Sequence, residues 1–269
     1  MIYCNLKGGL GNMMFQIAAT KAIALSKKTD YSFPNLKNHI NYLSAEMQYN
    51  PKVNYCLEYL DLPFLKNAKS EQSFFPLNTI TFPFHYQNFL INTPTVMIDG
   101  FFQSEKYFID YKNEILEMFS PDEKITDYLN QKYGELLKQR TTSIHVRRGD
   151  YIQNSKHHFV QDINYFNRGI EMLESKTDKF LIFSDDIDWC KENFKGDKFF
   201  FIENEKDYYE LYLMSLCSNN ITSNSSFSWW GAWLNKNENK TVIGPKNWFG
   251  VALQSLKTDD IIPNNWIKI

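Results

Sequence analysis

Short apolar segments alternate with segments of helical periodicity through the second half of the chain. Five of the apolar segments have the length and composition of buried strands: 142–146, 180–183, 199–202, 221–222 and 241–243. Between them, apolar residues recur at helical spacing, as Ile163, Phe166, Ile170 and Leu173 do. Strands that alternate with helices favour a parallel sheet covered on both faces, so an α/β protein is predicted.

The first of these strands runs directly into charged residues. The β-branched segment 141–146 is followed by Arg147, Arg148, Gly149 and Asp150. A guanidinium group matches phosphate oxygens, and ligands of α/β sheets bind at the carboxyl ends of strands. The alternative is that one arginine pairs with Asp150 and that both are structural. Because side chains alternate along a strand, we expect at most one arginine to contact a ligand, with the other bracing the loop.

Two further polar segments follow predicted strands in this half. In Ser184-Asp185-Asp186, a carboxylate can accept from a ribose hydroxyl or a guanine edge, and one of the two acids is expected to cap the next helix. The run 223–228 places serine hydroxyls and backbone N–H groups at a helix start, where they face phosphates or form an ordinary N-cap. The adjacent Trp229, Trp230 and Trp233 are predicted to belong to the core.

The first half opens with a strand, a glycine loop and a helix. The strand is predicted at 2–6, and the loop contains Gly8, Gly9, Gly11 and Asn12. Such a unit brings backbone N–H groups close to a phosphate, although a tight structural turn is an equal alternative. Asn12 stands where a helix N-cap is expected, and its amide could instead point at a ligand.

The rest of the first half is less regular. Residues 30–95 show no clear periodicity, and a strand is predicted at 95–98. The polar and aromatic segment after it suggests a sugar site, with Ser104 as a helix cap the alternative. A helix that opens at 120–123 and runs to about Lys138 ends the half, so domains of 1–138 and 139–269 are predicted. We expect two Rossmann-like domains facing a cleft that holds a nucleotide with two phosphates, neutralised by arginine and helix ends.

Composition excludes several classes of partner. The chain has 269 residues and a formal net charge of −2, without a basic domain, so nucleic acid is not expected as a partner. The four cysteines are scattered, which predicts reduced and mostly buried thiols in a reducing compartment. No apolar run is long enough to span a bilayer, and the N-terminus lacks the pattern of a signal peptide. His157 and His158 lack acidic or cysteine partners at useful spacing, so a metal site is not predicted.

The motifs resemble those of glycosyltransferase family 11, the α-1,2-fucosyltransferases, in its bacterial form. The resemblance covers nearly the whole length of the chain, and residues 30–95 match least. One departure is Met13, a position at which the family is expected to have Gln. Six segments carry it in order: Gly8-Gly9-Leu10-Gly11-Asn12 with Phe15-Gln16, the segment 99–108, His145-Val146-Arg147-Arg148-Gly149-Asp150, Phe183-Ser184-Asp185-Asp186, the segment 225–233, and Pro245-Lys246 with Trp248-Phe249. One motif would be weak evidence, whereas six in order are strong.

The resemblance implies a GT-B fold, with an acceptor side in 1–138 and a donor side in 139–269. It implies metal-independent transfer of L-fucose from GDP-β-L-fucose, with inversion, to the 2-hydroxyl of a terminal galactose. The expected donor-binding residues are Gly9, Asn12, His145, Arg147, Ser184, Asp185, Asp186, Asn224, Ser225, Ser226 and Phe227. The expected acceptor-binding residues are Phe102, Gln103, Glu105 and Tyr107.

The expected catalytic residues are Arg147 or Arg148, which would stabilise charge on the leaving phosphate, and Asp150 or Glu105, either of which could take the acceptor proton. The partners would be GDP-fucose and a galactose-terminated oligosaccharide or lipid-linked glycan, with a cytoplasmic location that allows peripheral association with the inner membrane. Two alternatives stay open: a GDP-sugar or glycan-binding protein without turnover, and a related transferase with another donor or linkage.

Overall fold

A computed structural model describes residues 1–36, 38–39, 78–88 and 91–269. These residues form two compact units. Within them, the first unit comprises the residues up to Ser120 together with Leu256–Pro263, and the second comprises Pro121–Ser255 together with Asn264–Ile269. Each unit contains its own parallel sheet, which confirms the predicted α/β class.

The sheet of the first unit has the strand order β2-β1-β4-β3 and is parallel throughout. Its strands are β1 (Ile2–Cys4), β2 (Tyr31–Ser32), β3 (Thr79–Thr81) and β4 (Val96–Asp99). The helices are α1 (Leu10–Ser26) and α2 (Lys112–Met118), and two 3-10 turns lie at Glu105–Tyr107 and Ile109–Tyr111. Both β2 and β3 fall in the stretch 30–95, for which short helices and loops are expected from the sequence and no strand is predicted. They are only two and three residues long, too short to produce a periodic pattern.

Helix α1 packs as the central helix of the first unit. Its buried residues include Met14, Phe15 and Ala18, which are not exposed at all. The helix begins at Leu10 with Gly9 as its N-cap residue, so the predicted N-cap position of Asn12 is wrong. Asn12 lies instead within the first turn, because the helix begins inside the glycine loop and not after it.

The sheet of the second unit has the strand order β10-β9-β8-β5-β6-β7 and is also parallel throughout. Its strands are β5 (Thr141–Val146), β6 (Lys179–Ser184), β7 (Phe199–Phe201), β8 (Asn219–Ile221), β9 (Val242–Gly244) and β10 (Ile267–Lys268). Its helices are α3 (Glu123–Leu137), α4 (Gly149–Gln153), α5 (Ile163–Leu173), α6 (Ile187–Asn193), α7 (Asp207–Leu216) and α8 (Ser226–Trp233). The five strands predicted in this half all occur, with ends shifted by one or two residues.

The core of the second unit forms on β5, β6 and the helices around them. Ile144, Val146, Phe166, Phe180 and Ile182 belong to one buried cluster. All six residues of β5 are buried, as expected for a central strand with helices on both faces. A separate group of tryptophans fills α8. Trp229 and Trp230 are fully buried and Trp233 is 5% exposed, which confirms that they belong to the core.

Helix α3 groups with the second unit, whereas the sequence analysis places it at the end of the first domain. The Tyr128 ring stacks on Tyr209 with centroids 4.1 Å apart, and the Tyr133 hydroxyl donates to Glu205 Oε1 at 2.8 Å. Lys132 also pairs with Glu205. A helical pattern shows which face is apolar but not which sheet that face covers, so the boundary could not be placed from periodicity alone.

Three cysteines lie within the described residues and none forms a disulfide there. Cys4, Cys190 and Cys217 are at most 1% exposed, and burial raises the pKa of each thiol to about 12. The prediction of reduced, buried thiols is confirmed for these three, while Cys56 lies outside the described residues.

Gly250 provides a test of close backbone packing. A Cβ at this position would lie 2.4 Å from the Ser155 carbonyl oxygen and 2.6 Å from that of Lys156. The Gly250 N–H donates to the His157 carbonyl at 2.9 Å, so the two segments cannot separate without losing a hydrogen bond. We expect Gly250→Ala to lower the free energy of unfolding by about 1–3 kcal/mol, measured by urea denaturation.

The matched control is Gly134→Ala within α3. A Cβ there meets nothing within 4 Å, so the substitution should raise the free energy of unfolding by about 0.5–1 kcal/mol. Equal stability changes in the two variants would contradict this account of Gly250.

Candidate functional site

The candidate site lies at the carboxyl edge of the sheet in the second unit. β5 has β6 on one side and β8 on the other, so the strand order reverses beside β5. Val146 pairs with Ser184, and Ile144 pairs with Ile221, which brings the three strand ends to the same edge. Open parallel sheets bind ligands at such a reversal point. The segments 147–150, 184–186 and 222–226 meet there.

The Arg147 guanidinium is held between two carboxylates. Its Nη2 lies 2.7 Å from Asp150 Oδ1 and its Nη1 lies 2.9 Å from Asp185 Oδ2. The Tyr151 ring centroid is 5.4 Å from the guanidinium carbon. Gly149 permits the approach of Asp185, because a Cβ at 149 would lie 2.6 Å from Asp185 Oδ2. The guanidinium is therefore fixed in orientation while 28% of the side chain is exposed.

Arg148 has a different set of partners. Its Nε donates to Asp186 Oδ2 at 3.1 Å, and its guanidinium carbon lies 4.1 Å from the centroid of a Trp189 ring. Its backbone N–H donates to Asp185 Oδ1 at 2.8 Å. Only 17% of the side chain is exposed. Arg148 therefore braces the segment between β6 and α6.

The two acids after β6 have separate roles. Asp186 is the N-cap residue of α6 and accepts from the Trp189 N–H, which confirms the prediction that one acid caps the helix. Its own N–H donates to Ser184 Oγ at 2.9 Å. Asp185 links the ends of β5 and β6 through Arg147 and Arg148. Because carboxylates surround both guanidinium groups, an incoming phosphate would compete with Asp150 and Asp185 for Arg147.

His145 is neutral in the folded protein. Its pKa is lowered to about 4, mainly by burial; Asp185 opposes this shift and Arg147 contributes to it. Its Nδ1 lies 2.8 Å from Ser223 Oγ, so the ring connects the end of β5 to the segment after β8. The ring centroid is 5.6 Å from that of Phe227. A neutral imidazole at this edge can donate or accept a hydrogen bond without adding charge.

The start of α8 has the form of an anion-binding site. Ser225 is the N-cap residue in an extended conformation and makes no side-chain capping hydrogen bond. The ordinary Ser N-cap considered in the sequence analysis is thus absent. The first N–H groups of a helix have no partner within the helix and carry partial positive charge. Ser226 and Phe227 begin the first turn of α8 and are half-buried, so their N–H groups lie where phosphate oxygens commonly bind.

Asn224 braces two loops. Its Nδ2 donates to the Phe159 carbonyl and to the Trp248 carbonyl, both at 2.8 Å, and its Oδ1 accepts from Gln161. The side chain is 2% exposed. This role differs from the ligand contact expected of Asn224, because both ends of its amide are already used within the protein.

Tyr151 is part of this edge and was not selected from the sequence. Its hydroxyl donates to the Asn224 carbonyl at 3.1 Å, and its ring stacks on His158 with centroids 4.2 Å apart. Burial raises the pKa of Tyr151 to about 12. Arg147 lies before α4, which contains Tyr151, so no local spacing in the sequence identifies Tyr151.

Gly9 and Asn12, which were also expected to bind the donor, lie in the first unit. Gly9 ends the loop after β1, at the carboxyl edge of that sheet. The Asn12 Oδ1 accepts from Gln103 Nε2 at 2.8 Å. The first turn of α1 is thereby joined to the segment after β4, because β1 and β4 are neighbours in the sheet.

The expected acceptor-binding residues divide into two groups. Phe102 is fully buried, with its ring centroid 5.0 Å from that of Phe82, and the Tyr107 hydroxyl donates to the His85 carbonyl at 3.2 Å. These two side chains stabilise the first unit, which differs from the contact expected of them. Gln103 is 6% exposed, and its Oε1 accepts no hydrogen bond from the described residues. Glu105 is half-buried at the start of a 3-10 turn.

A pocket of about 550 Å³ lies elsewhere in the second unit. It is lined by residues that include Gln161, Arg168, Lys246 and Lys268. None of the expected donor-binding, acceptor-binding or catalytic residues lines it, although Asn224 bonds to two of the lining residues, Phe159 and Gln161.

Neither a metal-binding cluster nor a membrane-spanning helix is found among the described residues. Across the ranges given above, no group of three or more His, Cys, Asp or Glu side chains is placed to hold a metal ion. In the same part of the chain, no helix combines the length and the apolar character needed to cross a bilayer.

The fold resembles that of a solved fucosyltransferase structure. The crystal structure of POFUT1 in complex with GDP superposes with a TM-score of 0.52 over 90% of this chain and 96% of that chain, at 11% sequence identity. At this identity the likeness concerns the fold, which is of the GT-B class, as predicted.

The chain belongs to glycosyl transferase family 11, whose family model matches residues 1–269. It is 31% identical over 298 residues to an alpha-1,2-colitosyltransferase of Escherichia coli, covering 100% of this chain and 99% of that protein. It is 29% identical over 311 residues to the O-antigen biosynthesis glycosyltransferase WbnK of Escherichia coli, covering 100% of both chains. Human galactoside alpha-(1,2)-fucosyltransferase 1 is 24% identical over 161 residues, which cover 54% of this chain and 44% of that protein. The protein is therefore a glycosyltransferase.

The state of His145 gives a prediction about pH. Its pKa of about 4 lies below the value of about 6.5 expected in an unfolded chain, so the unfolded state binds more protons between these values. Stability due to His145 should be present above pH 6.5 and lost as the pH falls toward 4. We expect His145→Asn to flatten the decline in the free energy of unfolding over this window, measured by urea denaturation at several pH values. An unchanged decline would contradict a neutral, buried His145.

Proposed function

We propose that the protein transfers L-fucose from GDP-β-L-fucose to the 2-hydroxyl of a terminal galactose, forming an α-1,2 linkage. The observation that carries the proposal is that Arg147 and the uncapped start of α8 both follow strands at the edge where the strand order of the second unit reverses. A guanidinium and a helix N-terminus are two groups suited to a diphosphate. Membership of family 11 and the relation to a galactoside fucosyltransferase support the donor and the linkage.

The proposed mechanism places protein charge where negative charge develops. As the bond from fucose C1 to the β-phosphate oxygen breaks, the sugar becomes oxocarbenium-like and the β-phosphate gains charge. Arg147 and the N–H groups of Ser226 and Phe227 would stabilise that phosphate, and such groups contribute about 3–4 kcal/mol each. The acceptor hydroxyl attacks from the opposite face of the sugar, which inverts the configuration at C1.

The surroundings of the two arginines assign them different roles in this proposal. Arg147 is the more exposed and would contact the diphosphate, whereas Arg148 is enclosed by Asp186 and Trp189 and would hold the loop. Asp150 and Asp185 would orient Arg147. Asp150, which pairs with Arg147, and Glu105 are the two candidates for taking the acceptor proton. No step of this mechanism uses a metal ion, since arginine and helix N–H groups neutralise the leaving phosphate.

A second donor is favoured by a specific observation. The relative that is 31% identical over the whole chain is named a colitosyltransferase, and colitose is the 3-deoxy analogue of L-fucose. The second candidate function is therefore transfer of colitose from GDP-colitose to the same type of hydroxyl. With an O-antigen glycosyltransferase among the relatives, we propose a surface polysaccharide precursor as the biological acceptor for either donor.

The experiment that tests the function measures GDP release in the presence of EDTA. GDP-fucose, GDP-colitose and GDP-mannose are each supplied with and without lactose or another terminal β-galactoside, and the product linkage is assigned by NMR. Galactoside-stimulated release from GDP-fucose with an α-1,2 product supports the proposal. Preference for GDP-colitose supports the second candidate. Tight GDP binding without release from any donor would indicate a binding protein and would contradict both.

The arginine roles predict different effects of substitution. Arg147→Ala should lower kcat/KM for transfer by about 10²–10³, because a group aimed at the leaving phosphate is lost. Arg148→Ala should lower mainly the free energy of unfolding, because it removes the partner of Asp186 and the packing on Trp189. Initial rates and urea denaturation of both variants provide the measurement. Near-normal turnover of Arg147→Ala would contradict the proposed phosphate site.

A further inference from the structure

Asn12 and Gln103 form a linked pair of side-chain amides in the first unit, which we call the amide pair. Gln103 Nε2 donates to Asn12 Oδ1 at 2.8 Å. Asn12 stands in the first turn of α1 and Gln103 in the segment that follows β4, and Cys4 pairs with Ile98 where β1 and β4 lie side by side. The amide pair therefore lies at the carboxyl edge of the sheet, where ligands of parallel sheets bind.

One end of the amide pair lacks a partner. Gln103 Oε1 is buried and accepts no hydrogen bond from any of the described residues. The whole Gln103 residue is 6% exposed, so ordinary solvation does not satisfy this oxygen. A buried acceptor without a donor is destabilising, and native proteins seldom retain one without a use for it.

The backbone around Gln103 keeps the side chain in place. Phe102 has φ of 53°, a conformation unusual for a residue with a Cβ, and its side chain is fully buried. The Ser104 N–H donates to the Phe102 carbonyl at 2.7 Å, which closes a tight turn centred on Gln103. Strained backbone of this kind persists where the surroundings enforce it, and it is concentrated at functional sites.

A second buried glutamine in the same unit shows what a structural amide looks like. Gln16 is not exposed, its Oε1 accepts from the Lys7 N–H at 2.9 Å, and its Nε2 donates to the Lys7 carbonyl at 3.1 Å. Both ends of the Gln16 amide are thus used by the backbone. The contrast between Gln16 and Gln103 separates a bracing glutamine from one with an oxygen available to a ligand.

We infer that Gln103 Oε1 accepts a hydrogen bond from a hydroxyl of the acceptor sugar and that Asn12 fixes the orientation of the Gln103 amide. This inference rests on the proposed function, because it takes the ligand to be a galactoside. The hydroxyl is one at C3, C4 or C6, since the C2 hydroxyl is the group that attacks the donor. Gln103 is then a specificity residue for the acceptor, because a site built to bind a hydroxyl discriminates against analogues that lack it.

The test compares Gln103→Met with wild type on a parent β-galactoside and on its 3-deoxy, 4-deoxy and 6-deoxy analogues. Methionine keeps the approximate volume of the side chain and removes the oxygen. We expect one analogue to lower kcat/KM of the wild type by about tenfold, the worth of one neutral hydrogen bond, and Gln103→Met to lower kcat/KM for the parent sugar by a similar factor, chiefly through KM for the acceptor. On that analogue, kcat/KM of Gln103→Met should be no lower than on the parent sugar, because the hydrogen bond is already absent.

Gln16→Met is the matched control for a structural effect. It should lower Tm by about 3–5 °C because two backbone groups lose their partners, while the ratio of rates on parent and deoxy sugars stays as in wild type. Gln103→Met should change Tm by less than Gln16→Met, because Asn12 is half-buried and water can reach it. Full acceptor affinity in Gln103→Met, losses that multiply for all three analogues, or a raised KM for the donor alone would overturn the inference.

Galactoside binding measured by ligand-observed NMR in the presence of GDP separates this inference from the proposed function. If wild type transfers no sugar but binds the galactoside more tightly than Gln103→Met does, the proposed function fails and the inference stands. If wild type transfers fucose and the variant matches it in binding and rate, the proposed function stands and the inference fails. If neither protein binds a galactoside, the inference is overturned.

Discussion

The ion pair between Arg147 and Asp185 ties together the ends of two neighbouring strands, and the arrangement of the candidate site depends on it. Asp185 also accepts from the backbone of Arg148, so one carboxylate fixes both the side chain of the first arginine and the main chain of the second. The approach is possible only because residue 149 is glycine. A partly buried, hydrogen-bonded pair of this kind holds its geometry better than an exposed pair, whose contribution is typically about 0–1 kcal/mol.

The part of the candidate site that could be predicted consists of the residues that stand at the ends of predicted strands. In a parallel sheet the segments after neighbouring strands meet at one edge, so selecting polar residues after predicted strands identifies Arg147, Ser184, Asp185 and the serines before α8. The α/β class and the five strands of the second half follow from hydrophobic periodicity in the same way. The burial of Trp229 and Trp230 follows from their apolar bulk.

Other features could not be obtained from the sequence, for identifiable reasons. The contacts of Asn224 depend on loops 63 to 65 residues earlier and up to 24 residues later in the chain, which no local pattern encodes. Phe101 and Phe102 look equivalent as adjacent aromatics, yet the left-handed backbone at Phe102 turns that ring into the core. Helix α3 carries an amphipathic pattern, but its place in the second unit is decided by Glu205, to which Tyr128, Lys132 and Tyr133 all bond. Tyr151 has no motif of its own and derives its place from the ring of His158.

The reactivity of the buried cysteines can be used to measure local unfolding of the protein. A thiol whose pKa is raised to about 12 and whose sulfur is excluded from water reacts very slowly with alkylating reagents, because the thiolate is the reactive species. Cys4 belongs to the first unit, and Cys190 and Cys217 belong to the second. The alkylation rate of each thiol, measured by peptide mass spectrometry, would therefore report how often the sheet of its own unit opens locally. A bound ligand would lower the alkylation rate of the cysteines in the unit that it stabilises.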